Sequence, residues 1–135
     1  MSTLDSSLQK AVTGIPDCVA AGYVDLSSGM VLSIKTVDSH PSAVIELLAA
    51  ATADMFQGPN VSAIERMFRK ARGLPENQDA HYFQEIIVNS ENLIHVFLRS
   101  KRQQQVAAFV CRKGANLGMV LTKARMAMPE IEASL

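Results

Sequence analysis

Residues 81–112 hold three apolar runs separated by short polar breaks, and the runs at 93–100 and 104–112 are apolar on both faces. His81 to Asn89, Leu93 to Ser100 and Gln104 to Arg112 read as strands, with Ser90-Glu91-Asn92 and Lys101-Arg102-Gln103 as turns. Connections this short make a meander, so the strands pair antiparallel. Side chains alternate along a strand. Leu93 and Phe97 therefore point one way, and Ile94, Val96 and Leu98 the other. Val106, Ala108 and Val110 likewise oppose Ala107 and Phe109. A sheet wetted on one face would show a polar residue at every second site. This one does not, so helices or partners must cover both faces.

The remaining chain supplies two more strands and the covering helices. Leu4, Leu8, Ala11, Val12 and Ile15 recur at helical spacing, with Thr3 as cap and Gly14 and Pro16 as the stop. Cys18 to Leu26 and Met30 to Lys35 read as a hairpin around Ser27-Ser28-Gly29, where Gly29 can take positive φ. Gly58-Pro59-Asn60 breaks the helix before it. Ser62-Ala-Ile-Glu65 is a capping-box pattern that opens a short basic helix, Ile64 to Arg72. A last helix starts at Asn116 with a buried stripe of Leu117, Val120, Leu121, Ala124 and Met128, and Pro129 should bend or restart it.

Residues 39–57 are the principal helix, with Pro41 in its first turn. On a helical wheel Val44, Leu47, Leu48, Ala51 and Met55 form one apolar side. Ile45, Ala49, Thr52 and Phe56 continue it. The arc spans about 200°, where a helix covering one core needs roughly half of that. We assign the first side to the chain's own sheet and the second to a second subunit. A charge at Ile45 or Phe56 should then split a dimer and leave the monomer folded.

A chain of 135 residues suits one domain. With 48% apolar and 19% charged residues it is not a disordered tail. No run of about 18 apolar residues reads as a membrane span. The N-terminus lacks the basic and apolar regions of a signal peptide. Cys18 and Cys111 form no CxxC, so the expectation is reduced thiols in a cytoplasmic protein. Zero net charge hides an asymmetry: residues 1–60 hold six acids and two bases, residues 61–125 five acids and eleven bases. The basic middle reads as a solvated face of mixed charge, able to steer an acidic partner.

The order is helix, two strands, helix, three strands, helix. With the hairpin Gly22 to Leu32 and the segment Gly114 to Leu121, opening on Asn116-Leu117-Gly118, it resembles the roadblock/dynein light-chain domain across nearly the whole chain. Longin and profilin folds share the layout. The resemblance implies an α+β, three-layer α/β/α, profilin-like fold with a five-stranded antiparallel sheet in the order 2-1-5-4-3. The first and last helices would cover one face and the middle helix the other. Residues 1–135 would form one domain, with a helical insertion at about 58–80. The resemblance also implies a homodimer through the middle helix and the third strand, where Gln84, Ile86 and Val88 would pair with a symmetry mate. It implies binding to a small Ras-like GTPase, as regulator (with a possible activating role) or scaffold; a structural adaptor without effect on GTP turnover is the alternative. Cys18 and Cys111 would fall on neighbouring strands.

No catalytic pattern accompanies this, and the expectation is a non-enzymatic chain without cofactor or metal. His40, His81 and His95 lack metal-binding spacing, and His95, among apolar strand residues, reads as a core or interface histidine. No GxSxG elbow surrounds the serines. Gly114 to Gly118 is read as a helix start rather than a phosphate loop. Arg66, Arg69, Lys70 and Arg72, with Lys101 and Arg102, raise the question of nucleic acid. Phe68 is the one aromatic among them, and its pattern with Ile64, Met67 and Ala71 assigns it to the buried side, so nucleic acid is not favoured. A small-molecule pocket in the sheet is the remaining reading, and no convergent polar cluster supports it.

Overall fold

A computed structural model describes residues 3–37, 42–74, 83–101 and 104–135, with backbone alone over 42–47. Pro41, His40, His81 and the tip Arg102-Gln103 lie outside the described residues.

The order of elements is α1 (Leu4–Gly14), β1 (Cys18–Asp25), β2 (Met30–Thr36), α2 (Ser42–Gln57), α3 (Pro59–Ala71), β3 (Glu85–Asn89), β4 (Leu93–Arg99), β5 (Gln105–Arg112) and α4 (Leu117–Ala133). The strands form one antiparallel sheet in the order β2-β1-β5-β4-β3. α1 and α4 cover one face, over Ala21, Tyr23, Ile94, Val96, Leu98 and Phe109. α2 covers part of the other, over Val24, Phe97 and Val106. The doubly apolar strands thus lie between two helical layers, as their pattern requires.

Local chemistry sets most of the boundaries. Thr3 and Ser6 cap α1 reciprocally: the Ser6 N–H donates to Thr3 Oγ1 (3.1 Å), and the Thr3 N–H to Ser6 Oγ (3.2 Å). Gly29 takes φ 71° in the β1–β2 turn, where a side chain would be strained. Asn116 Oδ1 accepts from the Met119 N–H (3.1 Å) and opens α4.

Three local expectations change. α3 begins at Pro59, with Gly58 as its cap, rather than at a Ser62 capping box. Proline is pre-set for a first helical position, and a Cβ on Gly58 would stand 2.6 Å from the Asp54 carbonyl oxygen. Ser62 Oγ instead donates back to the Gln57 carbonyl, and Glu65 is buried. α4 runs through Pro129 to Ala133 as one element, so of the two expected effects of Pro129 a restart does not occur. Its last turn is held from outside: Ile131 is fully buried, and Glu132 Oε2 accepts from Ser100 Oγ (3.0 Å) and the Lys101 N–H (2.7 Å). β3 begins at Glu85, so Phe83 and Gln84 precede the strand.

Candidate protein-interaction site

The site that the sequence points to is the outer side of α2 together with the free edge of β3. Among the described side chains of α2 the side assigned outward turns inward, while Met55 of the other side stays partly buried against the same core. Phe56 is completely buried within the chain's own core, and Ala49 and Thr52 are buried with it. Ile45 shares their side of the wheel; its side chain lies outside the described residues, as do those of Val44 and Leu47. Leu48, assigned to the core, is 54% exposed, and Ala51 is exposed beside it. The expectation that a charge at Phe56 leaves the monomer folded is therefore corrected. A wheel reveals that a helix has two apolar sides; what each side meets decides which one turns inward.

That decision is made by Arg99, which the sequence reading passed over. Its guanidinium stands 5.0 Å from the centre of the Phe56 ring. Nη2 donates to the Phe56 carbonyl (3.2 Å) and Nε to the Phe83 carbonyl (2.8 Å). Burial lowers its pKa, and the nearby Glu65 carboxylate opposes that shift. A cation on carbonyls of the last helical turn also complements the helix dipole. Gln57 Nε2 donates to the Leu26 carbonyl (2.8 Å), and Phe56 meets Phe97 edge to face with centroids 6.4 Å apart. The available signal was an arginine ending an otherwise apolar strand.

Along its other flank α2 stands off the sheet. An apolar groove of about 430 Å³ opens there, lined by Ala20, Gly22, Ala108 and Val110 from the sheet and by Leu48 and Met55 from the helix. Small sheet residues leave the space that α2 does not fill. His95 lines the groove as well, half-buried, its ring stacked with Phe97 at 6.3 Å. Burial lowers its pKa.

The edge is also re-registered. At the two ends of the β3–β4 pairing the Arg99 N–H donates to the Gln84 carbonyl (2.8 Å), and the Ser90 N–H to the Leu93 carbonyl (2.9 Å). In an antiparallel pair the N–H and C=O of one residue share a side, and the side alternates along the strand. Ile86 and Val88 have the parity of Gln84 and Ser90, so the backbone groups of all three sequence candidates face β4. Glu85, Ile87 and Asn89 turn theirs to the open edge. The Ile86 and Val88 side chains pack against the α2 core instead. Arg125 of α4 holds the Glu85 carboxylate with two bonds (2.7 and 2.9 Å), and this pair lowers the Glu85 pKa.

Cys18 and Cys111 are direct partners across β1 and β5, both buried and both free thiols. Among the described residues no group of three or more His, Cys, Asp or Glu could hold a metal ion. No described helix is long and apolar enough to cross a membrane.

This arrangement recurs in solved structures. A roadblock/LC7 domain from Streptomyces avermitilis superposes with a TM-score of 0.68 at 15% identity, covering 98% of this chain and 97% of that one. The chain has the roadblock fold. The gliding protein MglB from Thermus thermophilus shares it, with a TM-score of 0.67 at 20% identity, covering 95% of this chain and 84% of that one. So does a structure described as MglB with tetrameric arrangement, with a TM-score of 0.66 at 20% identity over 96% and 88% of the two chains. No family model and no curated protein matches the sequence. The roadblock fold of this chain, including its strand order, is thus shared at low sequence identity. The segment foreseen as an insertion at 58–80 contains α3 over its described part.

Proposed function

We propose that this chain is a non-enzymatic, homodimeric interaction module that regulates or scaffolds a small Ras-like GTPase. The observation that carries the reading is the unspent apolar side of α2: Leu48 and Ala51 lie exposed beside an open apolar groove. Exposed apolar surface of this kind favours burial against a partner. A two-fold contact through α2, continued by the backbone edge at Glu85, Ile87 and Asn89, is self-complementary and extends the sheet across both copies. The tetrameric arrangement of MglB supports assembly through this fold. The GTPase follows from the likeness to the roadblock domain. Such a module would act by holding the partner's switch regions in a productive arrangement, which lowers the entropic part of the barrier.

Sedimentation of the wild type and of Leu48→Glu tests the dimer. The wild type should sediment as a dimer and the variant as a folded monomer; a wild type that stays single at high concentration overturns it. Single-turnover GTP hydrolysis by a bound small GTPase, with and without the chain, tests the second half. Binding with unchanged turnover marks a structural adaptor. Failure to retain any small GTPase from native lysate removes the GTPase from the reading.

A further inference from the structure

α3 is the most sharply amphipathic of the described helices, and it is mounted the unexpected way round. Glu65 is buried toward the domain, in electrostatic contact with Arg99. Ser62, on the same side, bonds back to the end of α2. The ridge of Ile64, Met67, Phe68 and Ala71 lies exposed instead of in the core, with Met67 at 70%, and Leu74 continues it just past the helix. Arg66 and Lys70 flank the ridge on one side and Arg72 on the other, all exposed, while Arg69 lies half-buried toward Glu65 and Ser62. The acid of α3 is turned inward, so its outer surface carries cations and apolar groups, with Asn60 as its uncharged polar residue and no acid.

We infer that α3 docks this protein on a membrane surface rich in anionic lipid. A helix with an apolar ridge between basic flanks lies in the interface plane. Its ridge enters the boundary of headgroups and acyl chains, and its long basic side chains reach the headgroups. A bilayer offers negative charge and an apolar interior in one plane, matching both features of α3. A second copy does not match: a two-fold contact through α3 would set the exposed cations Arg66, Lys70 and Arg72 against the same three. The orientation of α3 relative to its own domain is what separates this reading from a core helix with a solvated basic face.

The test is flotation of the full-length protein with vesicles of phosphatidylcholine, with and without roughly 30% phosphatidylglycerol, at low and high salt. The wild type should float with the phosphatidylglycerol vesicles, not with phosphatidylcholine alone, and release with salt. Each juxtamembrane cation is worth about fivefold in partition. Arg66→Glu with Lys70→Glu should therefore weaken binding by roughly 25-fold or more. Both side chains are exposed, and unchanged thermal unfolding confirms that the variant is folded. The chain contains no tryptophan, so Met67→Trp adds a unique fluorophore. Its emission should shift to the blue on phosphatidylglycerol vesicles and be quenched by brominated lipid. Absence of flotation, equal binding to neutral vesicles, or an unshifted emission from the introduced tryptophan overturns the inference. So does a double variant that binds vesicles normally but loses an acidic protein partner, which would assign α3 to that protein.

Discussion

The Arg99 guanidinium stacks on the Phe56 ring while bonding the Phe56 carbonyl, so one side chain of β4 fixes both the ring and the last turn of α2. Because Phe56 is fully buried, Phe56→Ala should cost about 3–5 kcal/mol of folding stability through lost contact and a residual cavity. Phe56→Glu should prevent folding rather than split a dimer. Urea unfolding of Phe56→Leu, Arg99→Ala and the double variant should give a coupling of about 0.5–3 kcal/mol. Additive effects would show that the two residues act separately.

The parity of β3 makes neighbouring proline substitutions unequal. Ile86→Pro removes an N–H that faces β4 and should destabilise the fold. Ile87→Pro removes one that faces the open edge, where proline is tolerated. It should leave the urea midpoint nearer that of the wild type while weakening self-association. Equal loss of stability in both variants would contradict the assigned parity.

The comparison of Phe56 with Leu48 shows where sequence reading ends. Hydrophobic periodicity places α2, its end at Gln57 and its two apolar sides, because burial requires only that an arc be apolar. Which side turns inward depends on Arg99, Phe97 and Leu26, which meet α2 from distant parts of the chain. The strand meander was legible for a similar reason: apolar residues on both faces of β4 and β5 leave a covered sheet as the consistent answer. Edge parity was not legible, since it depends on which pair of β3 and β4 residues exchanges bonds. α3 misled the reading because Met67 and Phe68 follow a core-like period while Glu65 takes the inner side.

His95 should make the fold sensitive to mild acid. Burial lowers its pKa from the unfolded value near 6.5, so the unfolded chain takes up a proton more readily than the folded one. Stability from this residue is complete above that unfolded value and declines as the pH falls below it, until the folded ring also protonates. The urea midpoint should drop between about pH 7.5 and 5.5. His95→Gln should drop less. Asp5 and Glu85, whose pKa values are lowered by Ser33 and Arg125 respectively, lose their contribution in a separate and more acid window. A wild type and a His95→Gln variant with superimposable profiles would remove His95 as the cause.

Cys111 should report the opening of the core. It is fully buried against Cys18, and the hydrogen bond between the two thiols together with burial pushes the Cys111 pKa well up. Reaction with an alkylating agent requires thiolate and access, and the native β1–β5 pairing denies Cys111 both. In a Cys18→Ala variant, labelling of Cys111 should proceed only through unfolding, at a rate that tracks global stability across a urea series. Phe56→Ala should accelerate it in proportion to its lowered stability, although Phe56 lies on the opposite face of the sheet. Fast labelling that ignores urea and Phe56→Ala would mean that the sheet opens locally at Cys111.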